Sequence, residues 1–286
     1  MKTKSDGKSL HILFVLEYFY PYHGGVERLF SHLIKELLNR GQHVTILTAS
    51  YTGLPEKADY FGADMHRIKL NNRFEFSFHA IKMARRLAKT ADIIHTTTYN
   101  AALPAWIASK LTGTPVVLTF HEYWGKAWWR LPFLSPFSRI AFWGYEQLIV
   151  RLPFNLVASV SDYTRNGLKP FHKPEISTTI YNGLLEIPKP SKIQRNYFYL
   201  FVGRLGVSKG IDILVPAINE LLKDNSALRF VLIIPKEPKA ILHFIKSELS
   251  QPIKEGQVKI EHQITDERLL HLMQTAKAVI VPSYTE

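Results

Sequence analysis

The 286 residues include no cysteine, which excludes disulfides and thiolate metal sites and fits a reducing compartment. Asp-x-Asp, His-x-x-x-His and the clustered carboxylates that a catalytic Mg or Zn requires are absent as well. No segment reaches the ~18 uninterrupted apolar residues of a membrane span. The N-terminal MKTKSDGKSLHILFVLEYF sets basic residues before an apolar run, but the run LHILFVL ends at Glu17 and no small-residue cleavage site follows. It therefore reads as a buried first strand and not as a signal peptide. There is no zinc-finger spacing and no RNP-like aromatic motif, so nucleic acid is not the expected partner. Acidic side chains are few beside basic ones, 24 against 36, for a formal charge of +12. That excess points to an anionic partner, either phosphorylated substrates or an acidic membrane surface.

What is present is ordinary globular composition, 46% hydrophobic and 21% charged, over a length that suggests two domains at about 150 residues each. Short apolar runs alternate with helical patterns, the signature of an α/β chain with a parallel sheet wrapped by helices. A first strand at 11–16 leads through YFYPYHGG to a helix with apolar residues at Val26, Leu29, Phe30, Leu33, Ile34, Leu37 and Leu38. These fall at helical spacing, and Gly41 is placed to end the helix. Further strands are expected at 43–48, 92–96, 116–120, 156–161 and 177–181. The polar, proline-bearing EIPKPSKIQRN at 186–196 reads as a linker, which divides the chain into domains at 1–185 and 197–286. In the second domain strands are expected at 197–203, 229–235, 258–263 and 278–282. They alternate with helices from Ile211, around 238–250 and over 266–276, and the sheet is expected to have an unfinished edge. Pro216, beyond the first helical turn, predicts a kink.

The segment FVGRLGVSKG at 201–210 carries the chemistry most plainly: an apolar strand, a tight turn, then the helix IDILVPAINELL. It gathers Arg204, Lys209 and a helix N-terminus at the carboxyl end of one strand, where amide N–H groups and the helix dipole favour an anion such as a diphosphate. Gly24 and Gly25 lie on the first βα turn, where missing side chains let a backbone approach a ligand or simply permit a tight turn; the pattern is not GxGxxG. His121, after the strand VVLTF, sits where parallel folds place ligands, though a histidine beside Phe120 and Tyr123 also suits a core. The stretch 122–154 interleaves Trp124, Trp128, Trp129 and Trp143 with Lys126, Arg130, Arg139 and Arg151. Such a mixture fits contact with a membrane interface, through Trp124, Trp128, Trp129 and Arg130, or, with its all-round apolar helix at 137–150, a buried core.

Four segments in order, HGGVERLFSHLIKELLNRGQHVTILT at 23–48, YNG at 181–183, FVGRLGVSKG and VPSYTE at 281–286, together resemble the retaining nucleotide-sugar glycosyltransferases of family 4. The resemblance implies the GT-B fold, two Rossmann-like domains facing across a cleft, with the acceptor on the first domain and the nucleotide on the second. It implies transfer of a hexose from a UDP- or GDP-sugar to a lipid-linked or polysaccharide acceptor, with retained anomeric configuration, no cofactor and no metal. Arg204 and Lys209 would contact the donor diphosphate, Gly24 and Gly25 would face the donor phosphates, and His121 would contact the transferred sugar. Glu286 matches the first of the family's two glutamates, a contact to sugar hydroxyls. The second glutamate, on the ribose, lies past the last residue, so a C-terminally truncated second domain with an incomplete donor pocket is expected. The chain is placed in the cytoplasm, with peripheral attachment to the inner face of the membrane. Two rivals remain at this point, a GT-B sugar-nucleotide epimerase and a non-catalytic, membrane-associated sugar- or lipid-binding fragment.

Overall fold

The structure, a computed structural model, describes residues 9–22, 24–50, 53–183, 197–206 and 208–284. The expected linker 186–196 and Glu286 lie outside the described residues. The chain divides into two compact units, Met1–Gly125 with Ile140–Leu185, and Lys126–Arg139 with Glu186–Glu286.

The first unit is built on eight strands: β1 His11–Val15, β2 His43–Ser50, β3 Lys57–Tyr60, β4 Ala63–Lys69, β5 Ile93–Thr97, β6 Val116–Phe120, β7 Leu156–Ser159 and β8 Ser177–Thr179. Their order across the sheet is β3-β4-β2-β1-β5-β6-β7-β8, and every pairing is parallel except β3 with β4. Around it lie helices α1 Gly25–Asn39, α2 Phe76–Ala88, α3 Ala102–Thr112, α4 Pro136–Ile149, of which the part from Ile140 belongs to this unit, and α5 Asp162–Leu168. Strand β1 shows why the apolar runs are continuous and not alternating. Leu13 and Val15 enter a core with α2 and α3, whereas Ile12, Phe14 and Leu16 enter a second core with Phe30 and Ile34 of α1. Both faces of a central parallel strand are covered, so both sets of side chains must be apolar. In α2, Phe76, Ala80, Ala84 and Ala88 repeat every fourth position and are fully buried, and Ala101, Ala102, Ala105 and Ala108 of the α3 region share that core. Small side chains let the two helices approach closely.

The second unit has four parallel strands, β9 Tyr199–Val202, β10 Phe230–Ile233, β11 Val258–Glu261 and β12 Ala278–Ile280, in the order β11-β10-β9-β12. Its helices are α6 Ile211–Asp224, α7 Lys239–Glu248, α8 Ser250–Lys254 and α9 Asp266–Thr275. Among the described residues β12 pairs on one side only, with β9, and its Val279 is exposed. Helix α6 runs as a single element through Pro216, which can give no N–H to the Asp212 carbonyl. Its stripe of Ile211, Leu214, Val215, Ile218 and Leu222 packs on Phe201, Phe230 and Leu232 with enough apolar contact to carry that lost bond. Among the described residues no helix is long and apolar enough to cross a membrane.

Candidate functional site

In the first unit the carboxyl ends of β1, β5 and β6 carry Glu17, Tyr99 and His121. His121 follows the last residue of β6, and its ring meets the edge of buried Phe30 at 5.9 Å. Burial pushes this imidazole down to about 4, so it is neutral at physiological pH. Its Nε2 is buried without a hydrogen-bond partner among the described residues, an orphan that a ligand hydroxyl could satisfy. His95 on β5 packs on Phe14 and Phe30, bonds through Nε2 to Thr119 Oγ1 at 2.8 Å, and is also pushed to about 4, by burial first and the neighbouring His121 second.

The loop after His121 is held by a residue that the sequence reading did not single out. Glu146 of α4, 1% exposed, accepts the N–H of Trp124 at 2.9 Å and the N–H of Gly125 at 2.8 Å. It also accepts the Tyr99 phenol at 3.2 Å, and burial together with this carboxylate holds that phenol well above its ordinary range. The Tyr123 ring fills space that only glycine leaves, since a Cβ on Gly167 would come within 2.6 Å of it. From Tyr99 a polar chain continues: Tyr145 Oη lies 2.9 Å from Ser77 Oγ, and Ser77 donates to Asn100 at 3.3 Å. Asn100 lies close enough to Glu17 to favour its charged form. Glu17, 5% exposed, pairs with Arg73 at 2.9 and 3.1 Å; burial nevertheless raises its pKa, because desolvation outweighs the guanidinium. A lone acid in the apolar run FSRIAFWGYEQLIV was the available signal for Glu146.

Gly24 caps α1 in extended conformation, and the Glu27 carboxylate folds against it where any side chain would collide. An anion of the chain itself thus stands at this helix start, where the expectation had placed donor phosphates. Beside it opens a cavity of about 780 Å³ that Gly24, Gly25, Tyr22, Arg28 and Lys35 help to line.

In the second unit the turn between β9 and α6 is built as expected and reinforced from a distance. Gly203 donates to the Ile233 carbonyl, Lys209 donates to the Gly206 carbonyl, and Gly210 stands at the helix N-cap with φ 65°. Any side chain on Gly210 would strike the Pro282 carbonyl. Tyr284 completes the lock: its N–H donates to the Ser208 carbonyl at 2.7 Å and its phenol to Asp212 Oδ2 at 2.6 Å. The latter bond drives the phenol up to about 12. Arg204 is exposed and Lys209 half-buried, both on this one turn ahead of the α6 N-terminus. His121 belongs to the first unit and this turn to the second.

The tryptophan segment separates into two kinds of residue. Trp128 is buried at 7% exposure, so its ring cannot insert into a membrane as the interface reading required, and Trp124 is half-buried with its amide held by Glu146. Trp129 and Arg130 are exposed.

A family model for Glycosyltransferase Family 4 matches residues 23–184. The chain is similar to one of the subunits of human phosphatidylinositol N-acetylglucosaminyltransferase, 25% identical over 236 residues that make up 78% of this chain and 47% of that protein. It spans about half the length of this curated relative. Among solved structures, HepE of Anabaena in complex with UDP and glucose matches with a TM-score of 0.65 at 18% identity, covering 94% of this chain and 73% of that one. The catalytic domain of starch synthase IV from Arabidopsis thaliana, bound to ADP and acarbose, matches at 0.58 with 16% identity, 96% of this chain and 78% of that one. These likenesses are of fold, the GT-B type.

Proposed function

The chain belongs to glycosyltransferase family 4, and on that premise we propose that it serves as a hexosyltransferase, moving a sugar from a nucleotide-sugar donor to a lipid-linked or polysaccharide acceptor with retained anomeric configuration. The donor is a UDP- or GDP-sugar, and the enzyme works at an acidic membrane surface. The observation that carries this reading is the 203–210 turn, where Arg204, Lys209 and the α6 N-terminus share the carboxyl end of β9. Breaking the glycosidic bond adds charge to the leaving nucleoside diphosphate. Fixed cations and amide dipoles answer that charge most strongly in the transition state, which is where stabilisation raises the rate. HepE, of the same fold, holds UDP and glucose, which supports a diphosphate ligand here. His121 contributes a neutral ring that exchanges a hydrogen bond with the transferred sugar through Nε2, and Glu286 takes further sugar hydroxyls.

Arg204→Ala and Lys209→Ala should each weaken UDP or GDP binding by about 1.5 to 3 kcal/mol, the worth of a hydrogen bond to a charged group. Titration calorimetry with both nucleotides measures this, and transfer of radiolabelled sugar from UDP- and GDP-sugars into lipid and polysaccharide fractions follows activity. Unchanged nucleotide affinity in both variants would remove the basis of the assignment.

A further inference from the structure

Helix α4 buries its one acid and leaves much of its apolar surface outside. Glu146 is buried beside Ile149, while Ile140, Ala141, Trp143, Gly144 and Leu148 are exposed. Ile140, Ala141, Gly144 and Leu148 recur at helical spacing, so they form one outward stripe. The stripe is extended by a neighbour. Phe74 stacks on Phe142 of α4 at 6.0 Å and Ser77 Oγ meets Tyr145 Oη at 2.9 Å, which sets α2 beside α4 with Phe74 and Phe78 exposed at 52% and 67%. Exposed apolar side chains on two adjoining helices mark a contact face.

The charges around it identify the occupant. Along the Phe78 side of α2 run exposed Lys82, Arg85 and Lys89, and the helix contains no acid at all. Arg151 flanks the end of α4. The face therefore presents aromatic and aliphatic side chains bordered by cations. A second copy of a chain carrying +12 would bring like charges together, which disfavours self-association through this face. A soluble acidic partner would match the cations and leave the rings unexplained. We infer that the α2–α4 face docks on an acidic phospholipid bilayer, with α4 lying in the plane of the headgroups, its apolar stripe inserted and the α2 cations on lipid phosphate and carboxylate. At 14 residues α4 is about 21 Å long, too short to span the ~30 Å hydrocarbon layer, so it lies flat. This rests on the peripheral-membrane part of the function proposed above, and it assigns the contact to α2 and α4 and not to the tryptophan loop.

The test is co-sedimentation with vesicles of phosphatidylcholine alone and of equal parts phosphatidylcholine and phosphatidylserine, at low and high salt. The protein should sediment with the acidic vesicles and be released by salt. Replacing both Ile140 and Leu148 with Asp should weaken that binding by about tenfold or more. Lys82→Gln with Arg85→Gln should weaken it and flatten the salt dependence, and Trp129→Ser should leave it unchanged. Should the Asp pair fail to fold, judged by its circular dichroism melt, the uncharged Ile140→Gln, Leu148→Gln pair replaces it. Wild-type binding by a folded α4 variant would overturn the proposal. So would loss of binding confined to Trp129→Ser, or a lipid-free dimer in sedimentation velocity that the α4 substitutions abolish. Calorimetry with UDP on the same variants keeps the two readings apart, because nucleotide affinity should not change whichever surface meets the lipid.

Discussion

Glu146→Gln is the substitution that most directly weighs the loop behind His121. The side-chain shape is kept, so packing in α4 is unaltered and the difference is electrostatic. Oε1 serves both Trp124 N–H and Tyr99 O–H, and Oε2 serves Gly125 N–H. An amide can place its oxygen toward the first pair, but its NH₂ then points at the Gly125 N–H from 2.8 Å, donor against donor. One charge-assisted bond is lost and one buried amide is orphaned, while the cost of burying a full charge disappears. The first two effects amount to about 1.5 to 3 kcal/mol, the range for hydrogen bonds to charged groups, and the third offsets a part of it. Glu146→Ala removes all three acceptor contacts and should cost about 3 to 5 kcal/mol, the range for breaking a buried charge network. Urea unfolding followed by circular dichroism measures both, and Trp124, whose amide is one of the three donors, reports local loosening by fluorescence. A Gln variant as stable as the wild type, with unchanged emission, would refute the reasoning, since it would mean that the carboxylate charge contributes nothing to holding this loop.

Gly210→Ala should be tolerated poorly: the αL conformation costs about 1–2 kcal/mol for any residue with a Cβ, and the Pro282 carbonyl must also move, so thermal stability and UDP affinity should fall together in melts and calorimetry. His95 and His121 predict a pH dependence. Both are pushed from 6.5 to about 4 in the folded chain, so the unfolded chain binds more protons between those values; stability is full above about pH 6.5 and declines as pH falls toward 4. His66 and His172 are lowered in the same direction. Melting temperature measured from pH 7.5 to 4 checks this, and His95→Gln should flatten the slope; a melting temperature indifferent to pH over that window would contradict the burial assigned to the two rings.

The parts of the fold carried by periodicity were legible before the structure. The α1 stripe and the strand VVLTF fall where their patterns put them, because a helix buried on one face and a strand buried on both leave unmistakable spacings. The hairpin of β3 and β4 did not show itself: KADY is polar and short, and ADMHRIK alternates too weakly to outweigh its charges. In α4 the apolar residues fill the whole circumference, and spacing alone gives no sign of which side is covered. At the sites, the strand, glycine turn and helix that carry Arg204 and Lys209 were readable because that unit is local in sequence. Glu146 and the Tyr284–Asp212 bond were not, since each joins residues far apart in the chain and is created by tertiary packing alone.

That last bond bears on the order in which the second unit can be assembled. Tyr284 and Asp212 are 72 positions apart, and the Ser208 carbonyl and Gly210 are secured by the same late segment. Closing so long a loop is entropically expensive and waits on the pairing of β12 with β9, which brings the two ends to one edge of the sheet. A chain emerging from the ribosome is thus expected to make β9 and α6 early and to leave the turn between them loose until residues 282–284 arrive. On the function proposed above, nucleotide affinity would be withheld from every shorter nascent chain, and the turn that looks most local in the sequence would be among the last features of its unit to take shape.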